Sequence, residues 1–115
     1  MAVTIYHNPR CSKSRQTLQL LQDRGIEPEI VEYLKAPPSA DEMDAVLAKL
    51  GIEPRALMRT KEAAWREAGM ADEKLSRRQL IELLVANPIV IERPIVVNGA
   101  RAALGRPPES VLSIL

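Results

Sequence analysis

The sequence holds a single cysteine, Cys11, and no long apolar run. One thiol excludes an internal disulfide and a zinc site built from several cysteines, so disulfide chemistry would need a sulfur from another molecule. No apolar segment approaches the roughly 18 residues of a membrane-spanning helix, and the first residues lack the basic and apolar regions of a signal peptide. These absences predict a cytoplasmic protein without a membrane partner.

An excess of charge of one sign is also missing. Lys and Arg number 16 against 15 Asp and Glu, which leaves a net charge of +1 at pH 7 and predicts no nucleic-acid partner. The single histidine, His7, lies four residues before Cys11, and the pair does not complete a metal site, so no bound metal or cofactor is expected. The 115 residues suit one domain, spanning residues 1–115.

The first third of the chain predicts a parallel β-α-β unit. Val3–Tyr6 is rich in β-branched residues and is followed by loop residues, as a strand would be. Residues 12–24 carry apolar side chains at helical spacing before Gly25, and residues 29–33 alternate like a second strand. A strand, a helix and a strand of this length imply a right-handed crossover between parallel strands.

The middle of the chain, about residues 39–87, predicts a cluster of helices. Two capping boxes mark helix starts, because a serine and a glutamate or glutamine three residues later can satisfy each other's backbone N–H groups. The pairs are Ser39 with Glu42 and Ser76 with Gln79. Shorter helices are expected from Pro54 and over residues 61–68.

The last part of the chain predicts a β-hairpin and a helix. Pro94–Val97 and Ala100–Leu104 flank Asn98-Gly99, a pair that favours the two positive-φ positions of a type I′ turn. A final helix is expected from Pro107-Pro108. Its inner side is predicted to carry Val111, Leu112 and Leu115.

Cys11 is the candidate nucleophile. It directly precedes the first predicted helix, whose free N–H groups favour an anion, and cationic residues flank it. These are Arg10, Lys13 and Arg15. A lone cysteine is commonly an inert buried side chain, but the polar and loop-forming neighbours of Cys11 favour a reactive thiolate. Ser14 stands where a Cys-x-x-Cys protein has its second thiol, and its hydroxyl could donate to the Cys11 sulfur.

Four separated motifs resemble the glutathione/glutaredoxin-coupled arsenate reductase (ArsC) family. They are Tyr-His-Asn-Pro-x-Cys-x-x-Ser-Arg near the N-terminus, Leu-Met-Arg-Thr-Lys-Glu around Arg59, Glu-Arg-Pro-Ile-Val-Val around Arg93, and Leu-Gly-Arg-Pro-Pro-Glu around Arg106. The resemblance implies an α/β, thioredoxin-like fold with a mixed sheet, in which the helical segment is inserted between the β-α-β unit and the C-terminal hairpin and helix.

The resemblance also implies residue roles. Cys11 would attack arsenic, while Arg59, Arg93 and Arg106 would bind the oxyanion, and glutathione and glutaredoxin would regenerate the thiol. The thiolate would be supported by His7, Asn8, Ser14 and Arg15, and Pro94 is the candidate for a structural cis-proline. Guanidinium groups suit this task because their planar N–H forks neutralise and orient a tetrahedral oxyanion such as arsenate.

One motif departs from the best-known members of the family, which have Cys-Gly-Thr-Ser where this chain has Cys-Ser-Lys-Ser. The latter resembles a branch of short members, and it leaves other functions open. One is a glutathione-dependent thiol oxidoreductase with another acceptor, since a reactive thiolate attacks many disulfides. The other is an Spx-like regulator that binds RNA polymerase, which Ser14 disfavours because such regulators typically have Cys-x-x-Cys.

Overall fold

The computed structural model describes residues 2–115 and divides them between two compact units. The first unit contains residues up to Ala36 and Arg93–Leu115, and the second contains Pro37–Glu92. The strands are β1 (Val3–Tyr6), β2 (Glu29–Val31), β3 (Ile95–Asn98) and β4 (Arg101–Leu104). The α-helices are α1 (Ser12–Asp23), α2 (Ala40–Leu50), α3 (Ala63–Glu67) and α4 (Arg77–Ala86). The 3-10 helices are Pro54–Leu57, Pro88–Val90 and Pro108–Ile114.

The first unit is built on a four-stranded mixed sheet with the strand order β2-β1-β3-β4. β1 and β2 are parallel, while β3 pairs antiparallel with both β1 and β4. This confirms the predicted parallel β-α-β unit and the mixed α/β sheet of a thioredoxin-like fold. β2 ends two residues earlier than predicted, because Glu32 O accepts the N–H groups of Lys35 and Ala36 in a turn.

The core of this unit lies between the sheet, α1 and the C-terminal 3-10 helix. Its buried members are Val3, Ile5, Leu21, Val96, Val111 and Ile114. On α1 the buried residues are Ser14, Thr17 and Leu21, whereas Leu18 and Leu20 are only partly buried. The inner face of α1 is therefore more polar than a simple apolar stripe.

The predicted type I′ turn at Asn98-Gly99 is wrong by one residue. Asn98 pairs with Arg101 across the hairpin, so the loop residues are Gly99 and Ala100. Gly99 has a φ of +62°, and no other residue type has a positive φ in residues 2–115, which is the φ pattern of a type II′ turn with glycine first. Asn98 stays in β3 because it also pairs with Val3, and its Nδ2 donates to Ile114 O at 2.7 Å.

The predicted inner side of the last helix is also wrong. Pro108–Ile114 is a 3-10 helix that buries Pro108, Val111 and Ile114, whereas Leu115 is 38% exposed and Leu112 only partly buried. A 3-10 helix has three residues per turn, so every third side chain lies on one face. The α-helical spacing assumed from the sequence selected the wrong leucines.

The second unit is helical, and it contains the predicted segment 39–87. Ser39 Oγ accepts the N–H of Glu42 at the start of α2, and Ser76 forms a complete capping box with Gln79 at the start of α4. α3 is shorter than the predicted residues 61–68. Within residues 2–115, no helix has the length and apolar character needed to cross a bilayer.

Candidate active site

The loop before α1 is organised by Asn8. Its carbonyl oxygen accepts the Cys11 N–H at 3.0 Å, and its side-chain Oδ1 accepts the N–H of Arg10 at 3.0 Å. Arg15 closes the loop from the helix side, since its Nη1 donates to Pro9 O at 2.9 Å. Asn8 and Arg15 therefore hold the backbone on which Cys11 sits.

Cys11 is the N-cap residue of α1, as the sequence predicted. Its carbonyl oxygen accepts the N–H of Arg15 at 3.0 Å, and its side chain forms no capping hydrogen bond within residues 2–115. The N–H groups of the first turn have no partner within the helix, and together with the helix dipole they favour an anion beside them. Cys11 is only 9% exposed at this end of the helix.

Arg106 lies beside the sulfur. Its Nη2 is 3.7 Å from Cys11 Sγ, and its Nε donates to the Arg93 carbonyl oxygen at 2.7 Å. Arg93 precedes a cis peptide bond to Pro94, which is the geometry expected at this position, and Arg106–Pro107 is also cis, which was not expected. The first unit thus brings Cys11, Arg93 and Arg106 together. A thiolate beside a guanidinium can attack an electrophile that carries negative charge.

Ser14 is buried under the loop and bonds to neighbours other than the thiol. Its Oγ accepts the Asn8 N–H at 3.0 Å and lies 2.5 Å from Nδ1 of His7. The hydrogen bonds found for Ser14 therefore go to His7 and Asn8, and the suggested bond from its hydroxyl to the Cys11 sulfur is not among them.

His7 is the partner of Ser14 and is itself 6% exposed. Burial lowers the pKa of His7 below its ordinary value, and the positive charge of Arg15 lowers it further, while Glu32 opposes them. A neutral imidazole has one ring nitrogen that accepts a hydrogen bond. In that state Nδ1 can accept the Ser14 proton, which leaves the Ser14 oxygen to accept the Asn8 N–H.

Gly105 allows the chain that follows β4 to pack closely against α1. It belongs to the Leu-Gly-Arg-Pro-Pro-Glu motif, but the sequence predicted no role for it. A Cβ at this position would collide with Thr17 Oγ1 and would lie 2.7 Å from Pro94 Cγ. The N–H of Gly105 donates to Pro94 O at 2.9 Å. Only glycine lets the chain before Arg106 approach α1 this closely.

Arg59 belongs to the second unit. Its Nη1 is 3.1 Å from a carboxylate oxygen of Glu62, and its Nε is 3.8 Å from one of Glu92. These residues line a pocket of about 260 Å³ together with Met58, Thr60 and Lys61. The sequence predicted Arg59 but neither of its carboxylate partners.

Residues 2–115 contain no cluster of three or more His, Cys, Asp or Glu side chains arranged to hold a metal ion.

Comparison with known proteins agrees with these observations. A model of the ArsC family matches residues 6–114. The uncharacterized protein YfgD of Escherichia coli (strain K12) is 52% identical over 114 residues, which are 98% of this chain and 96% of that protein. An arsenate reductase of Haemophilus influenzae is 47% identical over 116 residues and covers 100% of both chains. The solved structure of an arsenate reductase from Vibrio cholerae has a TM-score of 0.96 at 48% identity and covers 100% of this chain and 98% of that one. With the family model matching nearly every residue, and with full-length relatives that share about half of its residues, the chain belongs to the ArsC family.

Proposed function

We propose that this protein is an arsenate reductase of the glutathione/glutaredoxin type, with Cys11 as the nucleophile. The observation that carries the proposal is the 3.7 Å contact between Arg106 Nη2 and Cys11 Sγ at the N-terminus of α1. An arsenate ion is repelled by a thiolate unless fixed positive charge lies between them. Arg93 and Arg59 are proposed to complete the binding of the oxyanion.

The first chemical step is attack of the Cys11 thiolate on arsenic. A sulfur–arsenic bond forms, one arsenic–oxygen bond breaks, and the departing oxygen takes two protons and leaves as water. Arsenic remains in its pentavalent state. Arg106 neutralises charge on the remaining oxygens, while the free N–H groups of the first turn of α1 stabilise the thiolate before attack.

The second part of the reaction needs thiols from outside, because the chain holds only one. Glutathione attacks the adduct, and a further thiol, that of glutaredoxin, completes the transfer of two electrons to arsenic. Overall, one arsenate and two thiols give one arsenite, one disulfide and one water, and Cys11 returns to its thiolate. These co-substrates place the proposed activity in the cytoplasm, where the glutathione pool keeps thiols reduced.

The test is arsenate-dependent NADPH consumption in a mixture with glutathione, glutaredoxin and glutathione reductase. Wild-type protein is compared with Cys11→Ser, Arg93→Ala and a control, Arg101→Ala, which changes an exposed arginine of β4. We expect saturable activity in the wild type and the control, none in Cys11→Ser, and a large loss in Arg93→Ala. Absence of arsenate-dependent consumption in the wild type, with Cys11 still open to alkylation, would contradict the proposal.

A further inference from the structure

Arg59 is held in a short antiparallel contact within the second unit. Its N–H donates to Val90 O at 2.7 Å, and the N–H of Glu92 donates to Leu57 O at 2.8 Å, with Met58 and Ile91 bridged between them. Met58 and Ile91 are buried, so this contact is anchored by apolar packing. It sets the backbones of Arg59 and Glu92 on adjacent segments.

Two carboxylates meet the Arg59 side chain. Glu62 follows Arg59 by one turn and approaches Nη1 to 3.1 Å, whereas Glu92 approaches Nε to 3.8 Å from the neighbouring segment. The three side chains are similarly shielded, with exposures of 27%, 29% and 28% for Arg59, Glu62 and Glu92. A long side chain at such a position adopts many rotamers unless its head group is bound on more than one side. Because these contacts use Nη1 and Nε, an added anion can take Nη2 without displacing either carboxylate.

We propose that Glu62 and Glu92 are positioning residues, which hold the Arg59 guanidinium in the orientation that receives the oxyanion. The inference rests on the proposed function for the identity of that oxyanion. A guanidinium binds a tetrahedral anion more tightly when its orientation is set in advance, since less side-chain entropy is then lost on binding. The pocket contains two cations, Arg59 and Lys61, against the two carboxylates, so its net charge gives little attraction to an anion. Orientation is therefore the contribution that Glu62 and Glu92 make.

The experiment measures arsenate binding by equilibrium dialysis in the Cys11→Ser background, in which no thiolate attack occurs. Glu62→Ala, Glu62→Gln, Glu92→Ala and Glu92→Gln are compared with Glu82→Ala, which removes an exposed partner of Arg78 on α4 in the same unit. We expect Glu62→Ala to weaken binding by about tenfold, as is typical for loss of a hydrogen bond to a charged group. Glu62→Gln should recover most of this loss, since its amide oxygen still accepts from Nη1. The Glu92 pair should follow the same order with a smaller loss, and Glu82→Ala should bind like the parent.

The opposite result would contradict the proposal. If the two carboxylates only compete with the anion for Arg59, both alanine variants will bind arsenate as tightly as the parent or more tightly, and the proposal is wrong. Absence of arsenate binding in the parent also overturns it. Thermal unfolding midpoints of all variants separate a folding defect from a binding defect. If the order of affinities holds while the wild type fails to reduce arsenate, the positioning role stands and the proposed function falls.

Discussion

At the scale of single residues, the contact between Arg106 and Cys11 joins two side chains that are 95 positions apart in the sequence. The positive charge of this guanidinium therefore lies beside the sulfur of the proposed nucleophile. We predict that Arg106→Gln lowers the rate at which the neutral reagent iodoacetamide alkylates Cys11 at pH 7 by about fivefold, the rate equivalent of about 1 kcal/mol for a partly exposed ion pair. Arg106→Lys should retain part of the rate, and Arg101→Gln all of it. An unchanged rate in Arg106→Gln would show that the helix N-terminus alone activates the thiol.

Also at the residue scale, His7 makes the free energy of unfolding depend on pH. Burial lowers the pKa of His7 in the folded protein below its ordinary value of 6.5. Between these two pKa values the unfolded chain binds more protons than the folded chain, so the free energy of unfolding falls as the pH decreases through this window. Well above pH 6.5 both states hold neutral imidazole, and His7 adds no pH dependence.

We therefore predict that the wild type loses more stability than His7→Gln when the pH is lowered from 7.5 to 5. Urea unfolding at a series of pH values measures this difference, and comparison of the two proteins cancels the titration of the carboxylates. Parallel stability curves for the two proteins would contradict the assignment of this term to His7.

At the scale of secondary-structure elements, Gly105 decides how closely the end of β4 approaches α1. Gly105→Ala would place a methyl group against Thr17 and 2.7 Å from Pro94 Cγ. We predict a loss of about 1–3 kcal/mol in the free energy of unfolding, the usual cost of overpacking a core. Thr17→Ala should relieve part of this loss in the double variant, because two of the three closest contacts come from Thr17.

Gly25 provides the matched control for the comparison of Gly105→Ala and Thr17→Ala with their double variant. It has a φ of +76°, so Gly25→Ala is also strained, but no atom lies within 4 Å of the added Cβ. Thr17→Ala should therefore not relieve Gly25→Ala. Additive effects of Gly105→Ala and Thr17→Ala would mean that the two residues are not in contact in solution.

At the scale of the whole molecule, the decisive fact is that one chain holds one thiol. The protein can form one sulfur–arsenic bond by itself, but it has no second thiol, and two thiols must supply the two electrons that the reduction of arsenic requires. We predict that reduced protein mixed with arsenate releases no arsenite until glutathione is added. Separation of arsenite from arsenate by chromatography measures this, and release of one arsenite per chain without added thiol would contradict the mechanism.

The local parts of the fold were predictable from the sequence. Three correctly predicted features are the start of α1 directly after Cys11, the serine caps of α2 and α4, and the parallel pairing of β1 with β2. Each depends on residues a few positions apart or on the short connection between two strands. The hairpin loop was misplaced by one residue because the pairing of Asn98 with Val3 and its bond to Ile114 O are distant contacts. The inner face of the last helix was misjudged because the sequence does not reveal whether a short helix has three or 3.6 residues per turn.

In the candidate active site too, local features were predictable from the sequence, whereas distant contacts were not. By itself, the sequence determined which thiol is available, that it begins a helix and that it needs an external partner, since these follow from composition and from the local pattern around Cys11. Only the tertiary structure decided that Arg106 contacts the sulfur, that Ser14 bonds to His7 and that two carboxylates meet Arg59. The physical reason is that capping and helical periodicity act within one or two turns of chain, whereas a side chain finds its distant partners only after the sheet and helices have packed.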